Sequence, residues 1–229
     1  MRFAKETIKA KFINRPNRFK AFVELDGETV VVHVPNTGRN REILVPGCTV
    51  VLRKEDSPTR KTKFSLIAGY KGDKLINIDS QIPNHVVEEA LSLGLIEELK
   101  GYGTVMREKT YGKSRFDFLL EDSERKFYLE VKGVTLESDG VASFPDAPTE
   151  RGAKHVRELM DALSEGHGAG ILFLVQIEDV HMFTPAYALD PEFSEVLKSA
   201  RDKGVKVMAY RCAVTESSLD IIGSIPVLI

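Results

Sequence analysis

The sequence predicts an α/β (α+β) protein in two parts, a small β-barrel over residues 1–80 and a layered α/β domain over residues 81–229. Three observations predict it. Short alternating strands are separated by glycine turns through the first eighty residues. After Gln81-Ile82-Pro83-Asn84, strands alternate with amphipathic helices. Finally, Asp117, Glu130 and Lys132 are embedded in apolar, strand-forming sequence, where an unpaired charge is costly.

In the barrel, Phe19–Leu25 and Thr29–Val34 flank Asp26-Gly27, a strong hairpin signal. Pro46-Gly47 opens a strand over Cys48–Arg53. Phe64–Tyr70 and Leu75–Ile78 flank Lys71-Gly72-Asp73 as a further hairpin. Five such strands with tight turns fit a Greek-key barrel. Net charge over the chain is −2, yet residues 1–80 carry +7 and residues 81–229 carry −9. A basic front half suggests that this domain meets a polyanion, and chance segregation of charge gives the same count. Arg15, Arg18, Lys20, Arg39, Arg41, Arg53, Lys54, Arg60 and Lys61 are candidates to follow a phosphate backbone. Phe12, Phe19 and Phe22 would stack on bases if exposed, although a small barrel needs most of its phenylalanines as core. The Asn36-Thr37-Gly38-Arg39 loop brings a glycine to where backbone can approach a ligand; a tight structural turn reads the same way.

In the second part, Asn84 is expected to cap a helix from about His85 to Leu99, with Val86, Val87, Ala90, Leu91 and Leu95 inward. Three strands follow. Ser114–Leu120 and the strand through Leu129-Glu130-Val131-Lys132 should pair as an antiparallel hairpin across Glu121–Lys126. Glu130 and Lys132 then share one face, with Val131 on the other. Thr149 should cap a helix continuing through Leu163, with Val156, Leu159, Met160 and Leu163 as its apolar stripe. A buried strand over 170–175, a helix over 191–201 and a strand over 205–210 complete an α-β-β-β-α-β order, the order used by a nuclease fold.

Two carboxylates and an ammonium converging on neighbouring strands suit metal-assisted phosphodiester cleavage. Asp117 and Glu130 would hold Mg²⁺ or Mn²⁺ with the Val131 carbonyl, and Lys132 would orient or deprotonate water. Glu89 on the first helix is a candidate third carboxylate. Arg151, Lys154 and His155 at the start of the second helix suit an anion such as phosphate, and Asp146 and Lys154 are candidates for a second cation or the scissile phosphate. An ordinary solvated face with cross-strand ion pairs would present the same residues.

Several segments together resemble the sugar fermentation stimulation protein family. They are Val34-Pro35-Asn36-Thr37-Gly38-Arg39, Tyr111 through Leu120, Leu129-Glu130-Val131-Lys132 with Val134-Thr135-Leu136, and the highly specific string from Phe144 to His155. Gly204-Val205 and Ile225-Pro226-Val227 extend the resemblance over essentially the whole chain. It implies an N-terminal OB-like barrel joined to a PD-(D/E)xK nuclease-like three-layer domain. It also implies non-specific DNA binding and a regulatory role in sugar metabolism, maltose in particular. Carried over by position, Asp117, Glu130 and Lys132 would be the nuclease triad. Phe116 stands where that signature is named for proline.

Composition bounds the rest. With 42% hydrophobic and 29% charged residues, the chain reads as a globular protein with real cores. No apolar run suits a membrane span, and the charged start Met1–Glu6 does not read as a signal peptide. Cys48 and Cys212 are expected to be reduced thiols in a cytoplasmic protein. No zinc motif or small-molecule cofactor fingerprint is present. The leading expectation is a DNA-binding protein with a Mg-dependent nuclease site. Its rival is a non-catalytic DNA-binding regulator that keeps the nuclease fold as scaffold.

Overall fold

A computed structural model describes residues 1–229. The barrel is formed by β1 (Thr7–Asn17), β2 (Lys20–Leu25), β3 (Glu28–His33), β4 (Thr49–Lys54), β5 (Phe64–Lys71) and β6 (Lys74–Asn77). Its strand order is β3-β2-β1-β4-β5-β6, and β3 meets β5 at His33 and Ser65 to close it. The β2–β3 turn uses Asp26 at φ 53° and Gly27 at φ 81°, the left-handed pair that matches strand twist. Val23, Val32, Val50, Leu52 and Leu66 fill the interior. The long first strand was not among the five expected. Its alternation is short, Ala10 and Phe12 pointing inward, before it bends through two register irregularities toward Pro16.

The second domain comprises α1 (Ile82–Ser92), β7 (Thr104–Tyr111), β8 (Ser114–Glu121), β9 (Lys126–Val134), β10 (Leu136–Ser138), β11 (Val141–Phe144), α2 (Glu150–Ser164), β12 (Gly168–Val175), β13 (Met182–Pro185), α3 (Pro191–Asp202), β14 (Lys206–Val214) and β15 (Leu219–Ser224). Its main sheet runs β15-β14-β12-β9-β8-β7, parallel at β9-β12-β14 and antiparallel at both edges. A small sheet β10-β11-β13 lies beside it. Strand alternation divides the core. Ile171, Phe173 and Val175 join Val156, Leu159, Phe193 and Leu197 of α2 and α3, whereas Leu172 and Leu174 join Val86, Val87 and Ala90 of α1. The result is three layers, helix on sheet on helix.

Two helix expectations need correction. The first helix begins at Ile82 with Pro83 in its first turn and ends near Gly94 at φ 65°; a separate 3-10 turn covers Glu97–Leu99. Asn84 therefore lies inside the helix and caps nothing. Thr149 does cap α2, its Oγ1 accepting from Gly152 N at 3.1 Å.

Barrel and α/β domain share one apolar cluster, and polar contacts add to it. Gln176 Nε2 donates to the Asn77 carbonyl at 3.0 Å and to Asn77 Oδ1 at 2.8 Å. Lys71 and Lys74 of the β5–β6 hairpin both reach the buried Glu137 carboxylate, at 2.9 and 2.7 Å.

Candidate functional site

The site lies where β8 and β9 part company. Their pairing proceeds from Glu121–Lys126 to Phe118–Leu129 and stops one pair before Asp117 and Glu130. On its other side, β8 pairs with β7 at every position of that stretch except Asp117 opposite Glu108. Glu108 adopts φ 54°, a left-handed backbone unusual for a non-glycine residue in a strand. The local twist sends Phe116 to the core under α2 and Phe118 to the core under α1. Asp117 is left without a ladder and takes other partners. Its Oδ2 accepts from the Val131 backbone N–H at 2.8 Å and its Oδ1 from Asn84 Nδ2 at 2.7 Å.

Glu130 is buried. Its Oε1 accepts from Lys132 Nζ at 2.5 Å and faces His155 Nδ1 at 2.6 Å. Arg151 Nε donates to His155 Nε2 at 3.4 Å, so Nδ1 is the ring nitrogen that carries a proton toward Glu130. The other oxygen, Oε2, is buried and meets no donor. Burial disfavours the charged form of Glu130, but His155 and Lys132 outweigh it and hold its carboxyl below the usual range. Burial, followed by the charge of Glu130, pushes Asp117 up. With Ser80, Pro83, Arg115, Gly133 and Arg151, these groups surround a cavity of about 210 Å³. Of its three acidic side chains, Glu108 is exposed, while Asp117 and Glu130 lie deeper with unequal affinities for a proton, and Glu130 has an unsatisfied oxygen. A hard cation fits that donor set, with two protein carboxylates and the remaining positions left for water or phosphate oxygens. No three of the cavity's Asp, Glu and His side chains are placed to share one ion.

The structure thus brings Asp117, Glu130, Val131, Lys132, Arg151 and His155 to one cavity. It does not bring Glu89, which is half-exposed and pairs with the Met1 amino group at 2.9 Å. Lys154 lies on the exposed face of α2 beside Glu158, at 3.7 Å. Asp146 belongs to the seam between the domains, where a Cβ on Gly38 would overlap its carboxylate. Asn84, read from sequence as a cap, is instead the side chain that orients Asp117; only its place one residue after Pro83 hinted that it sits in a first helical turn.

The barrel arginines divide. Arg15 is not free for phosphate. Its two terminal nitrogens donate to the carbonyls of Gly38, Arg39, Arg18 and Asn36 at 2.5–3.1 Å, and so fold the Asn36–Arg39 loop. Arg60 pairs with Glu55 at 3.3 Å and donates to Ser65. Lys61 is exposed in the β4–β5 loop and does not line the groove that holds Arg39. Arg18, Arg39 and the neighbouring Arg41 line one open groove of about 470 Å³ along the β1 end and this loop. Of the three phenylalanines, Phe12 is core, Phe22 is partly buried, and Phe19 is 57% exposed.

Comparison with known proteins places this arrangement. The model of the SfsA N-terminal OB domain matches residues 13–78, and that of the sugar fermentation stimulation protein RE domain matches residues 81–218. A sugar fermentation stimulation protein homolog of Clostridium tetani (strain Massachusetts / E88) is 60% identical over 227 residues, 98% of this chain and 99% of that one. One from Clostridium botulinum (strain Langeland / NCTC 10281 / Type F) is 58% identical over 222 residues, 96% of each. Among solved structures, that of Pyrococcus furiosus SfsA in complex with Ca²⁺ superposes with a TM-score of 0.90 at 28% identity, covering 100% of both chains. By sequence over its full length and by fold, this chain belongs to the sugar fermentation stimulation protein family.

Proposed function

We propose that the protein binds DNA through the arginine groove of its barrel and hydrolyses a phosphodiester bond in the Asp117–Glu130–Lys132 cavity with the help of Mg²⁺ or Mn²⁺. The observation that carries this reading is the buried, donorless Glu130 Oε2 beside Asp117, at the point where two strands separate. Asp117, Glu130 and the Val131 carbonyl would hold the cation, which when bound supplies charge stabilisation and a more acidic water. Asn84 and the Val131 N–H fix the Asp117 carboxylate. His155 fixes Glu130, and Arg151 fixes His155. Lys132, with its Nζ ammonium already in the cavity wall, orients the attacking water and offsets the negative charge that develops beside it. Arg115 and Arg151 offset charge on the phosphate oxygens. That the Pyrococcus furiosus relative was solved in complex with Ca²⁺ supports the choice of a hard, oxygen-seeking cation.

A second reading has its own observation. Lys132 and His155 already serve Glu130, and the third acidic side chain of the cavity, Glu108, is exposed and paired with Arg115 at 3.4 Å. A DNA-binding regulator of sugar metabolism would need no more than this. One experiment separates the two. Single-stranded, duplex and branched DNA are incubated with Mg²⁺, Mn²⁺ or EDTA, using wild type, Glu130→Gln and Lys132→Met. The nuclease reading expects metal-dependent cleavage by wild type alone, with all three proteins binding DNA alike in EDTA. Binding without cleavage of any form, with either metal, leaves the regulator.

A further inference from the structure

The seam between barrel and α/β domain holds a cavity of about 150 Å³, with room for a few waters or one partly hydrated ion. The polar side chains of its wall have spent their hydrogens elsewhere. Asn36 Nδ2 donates to the Ile78 carbonyl at 2.7 Å, and Gln176 Nε2 to the Asn77 carbonyl at 3.0 Å. Ser80 Oγ donates to the Pro35 carbonyl at 2.8 Å, and Thr135 Oγ1 to Asn40 Oδ1 at 3.2 Å. A carbonyl only accepts, so both amides are fixed with their nitrogens committed to backbone. What these four residues leave for the cavity is oxygen. Asn36 Oδ1 takes one hydrogen, from Gly38 N at 2.6 Å, and keeps a second lone pair. Thr37 and Ser143 complete the polar wall with hydroxyls that can turn a lone pair inward.

Asp146 adds a charge. It lies between β11 and α2, and its own backbone N–H is the one hydrogen-bond donor to its carboxylate. Arg15 acts on it from nearby, but the Arg15 terminal nitrogens are occupied by four carbonyls. Burial pushes the Asp146 carboxyl up in spite of both. Two glycines let the oxygens close in. A Cβ on Gly38 would overlap Asp146 Oδ2 and Asn36 Oδ1 at once, so a charged and a neutral oxygen from opposite domains face one point. A Cβ on Gly133 would overlap Gln176 Oε1 in the same way. Asp146 is also reached by solvent, which gives an ion a way in. An anion would meet a carboxylate and acceptor oxygens here. Water would satisfy the neutral oxygens and leave the carboxylate charge to Arg15.

We infer that the seam is a cation site, in which Asp146 and Asn36 Oδ1 hold a Ca²⁺-sized ion whose remaining positions go to water and to the oxygens of Gln176, Ser80 and Thr135. Mg²⁺ demands a near-ideal octahedron, whereas Ca²⁺ accepts about six to eight oxygens in flexible geometry, neutral ones included. One carboxylate supplies little charge, so the affinity belongs to the weak class, with Kd of about 10⁻⁴–10⁻³ M. The site borders the Asp117–Glu130 cavity at Ser80 and Gly133 but uses neither of those carboxylates, and it does not depend on the nuclease reading. The ion ties the Asn36–Arg39 loop, which carries Arg39 into the barrel groove, to the segment that opens α2 with Arg151 and His155. It thereby fixes barrel against α/β domain.

Thermal unfolding tests this in the full chain carrying Asp117→Asn and Glu130→Gln, which removes the other candidate cation site. Ionic strength is held constant with tetramethylammonium chloride. Ca²⁺ at about 10 mM should raise the midpoint by about 3–5 °C, the shift expected of a ligand at tenfold or more over its Kd. Mg²⁺ and K⁺ should raise it much less. Adding Asp146→Asn should abolish the Ca²⁺ shift. A Ca²⁺ shift that survives Asp146→Asn, or no shift without it, overturns the site; an equal shift with Mg²⁺ or K⁺ overturns the preference for Ca²⁺. Should Asp146→Asn fail to fold, wild-type crystals soaked in Ca²⁺ decide the matter. Anomalous density between Asp146 and Asn36 is the expected result, and water alone at that point overturns the proposal.

Discussion

Asp117 and Glu130 look equivalent in the sequence, two acids in apolar strands, and the fold makes them different. Glu130 has two basic neighbours on one oxygen; Asp117 has neutral donors and a negative neighbour. Removing their charges should therefore have opposite effects on stability. Asp117→Asn, measured by urea denaturation in EDTA at neutral pH, should stabilise by about 1 kcal/mol, because it deletes a buried charge held against another. Asn84 can turn its amide to accept from the new one. Glu130→Gln should destabilise by about 2 kcal/mol, because it leaves the half-buried Lys132 without its partner. A stabilised Glu130→Gln would mean that Lys132 does not neutralise it. The residue types were legible because an acid in an apolar run has few reasons to be there. The partners were not. Nothing local tells that Asn84 reaches across 33 positions to Asp117, or that Glu89 is taken by the amino terminus.

The elements that build the site were visible as elements but not in their irregularities. Alternating residues located β8 and β9, yet the missing pair at Glu108 and Asp117 breaks the alternation that located them. The positive φ of Glu108 gives this defect a measurable cost. Glu108→Gly should be neutral or stabilising by up to about 1 kcal/mol, since glycine adopts this backbone freely and the ion pair it removes, with Arg115, is exposed. Lys109→Gly, one residue on in regular strand, should cost about 1 kcal/mol. Chemical denaturation of the pair tests this, and equal losses would place Glu108 in ordinary strand geometry. Thr149 was legible as a cap because its partner is local. Asp190, which both caps α3 and accepts from Thr149 N at 2.8 Å, was not, as the second contact joins two helices far apart in sequence. Thr149→Ala should cost about 1 kcal/mol in the same assay.

For the whole molecule, the charge count of the sequence overstated the basic surface. Of the 16 basic residues in 1–80, Arg15, Arg53, Lys71 and Lys74 are held by carbonyls or carboxylates inside the fold. Among the rest, Arg18, Arg39 and Arg41 line the one groove proposed for phosphate. Replacing all three with glutamine should lower the salt slope of DNA binding by about 2–3, since each phosphate no longer neutralised keeps its counterion. Replacing Arg60 and Lys61 should leave it unchanged.

The two hairpin lysines have a different role, which pH can expose. Glu137 is buried between barrel and α/β domain, held by Lys74, the Gly140 N–H and Lys71. Burial works against its charge, but these donors prevail and bring its pKa down to about 2 from about 4.5. A depressed carboxyl pKa stabilises the folded state above the unfolded value, and the gain disappears as pH falls through the folded one. The contribution should thus be complete from neutral pH to about 5, shrink between about 4.5 and 2, and amount to no more than about 3 kcal/mol. Glu137→Gln keeps the size and one acceptor but not the charge. Its thermal midpoint should lie below that of wild type at pH 7, and the two should converge as pH approaches 2. Lys71→Met combined with Lys74→Met should behave the same way, since neither half of the pair stabilises without the other. If the gap between wild type and Glu137→Gln stays constant across that window, the contact between the domains rests on shape and hydrogen bonding, and the lysines of the β5–β6 hairpin are free to join the basic surface after all.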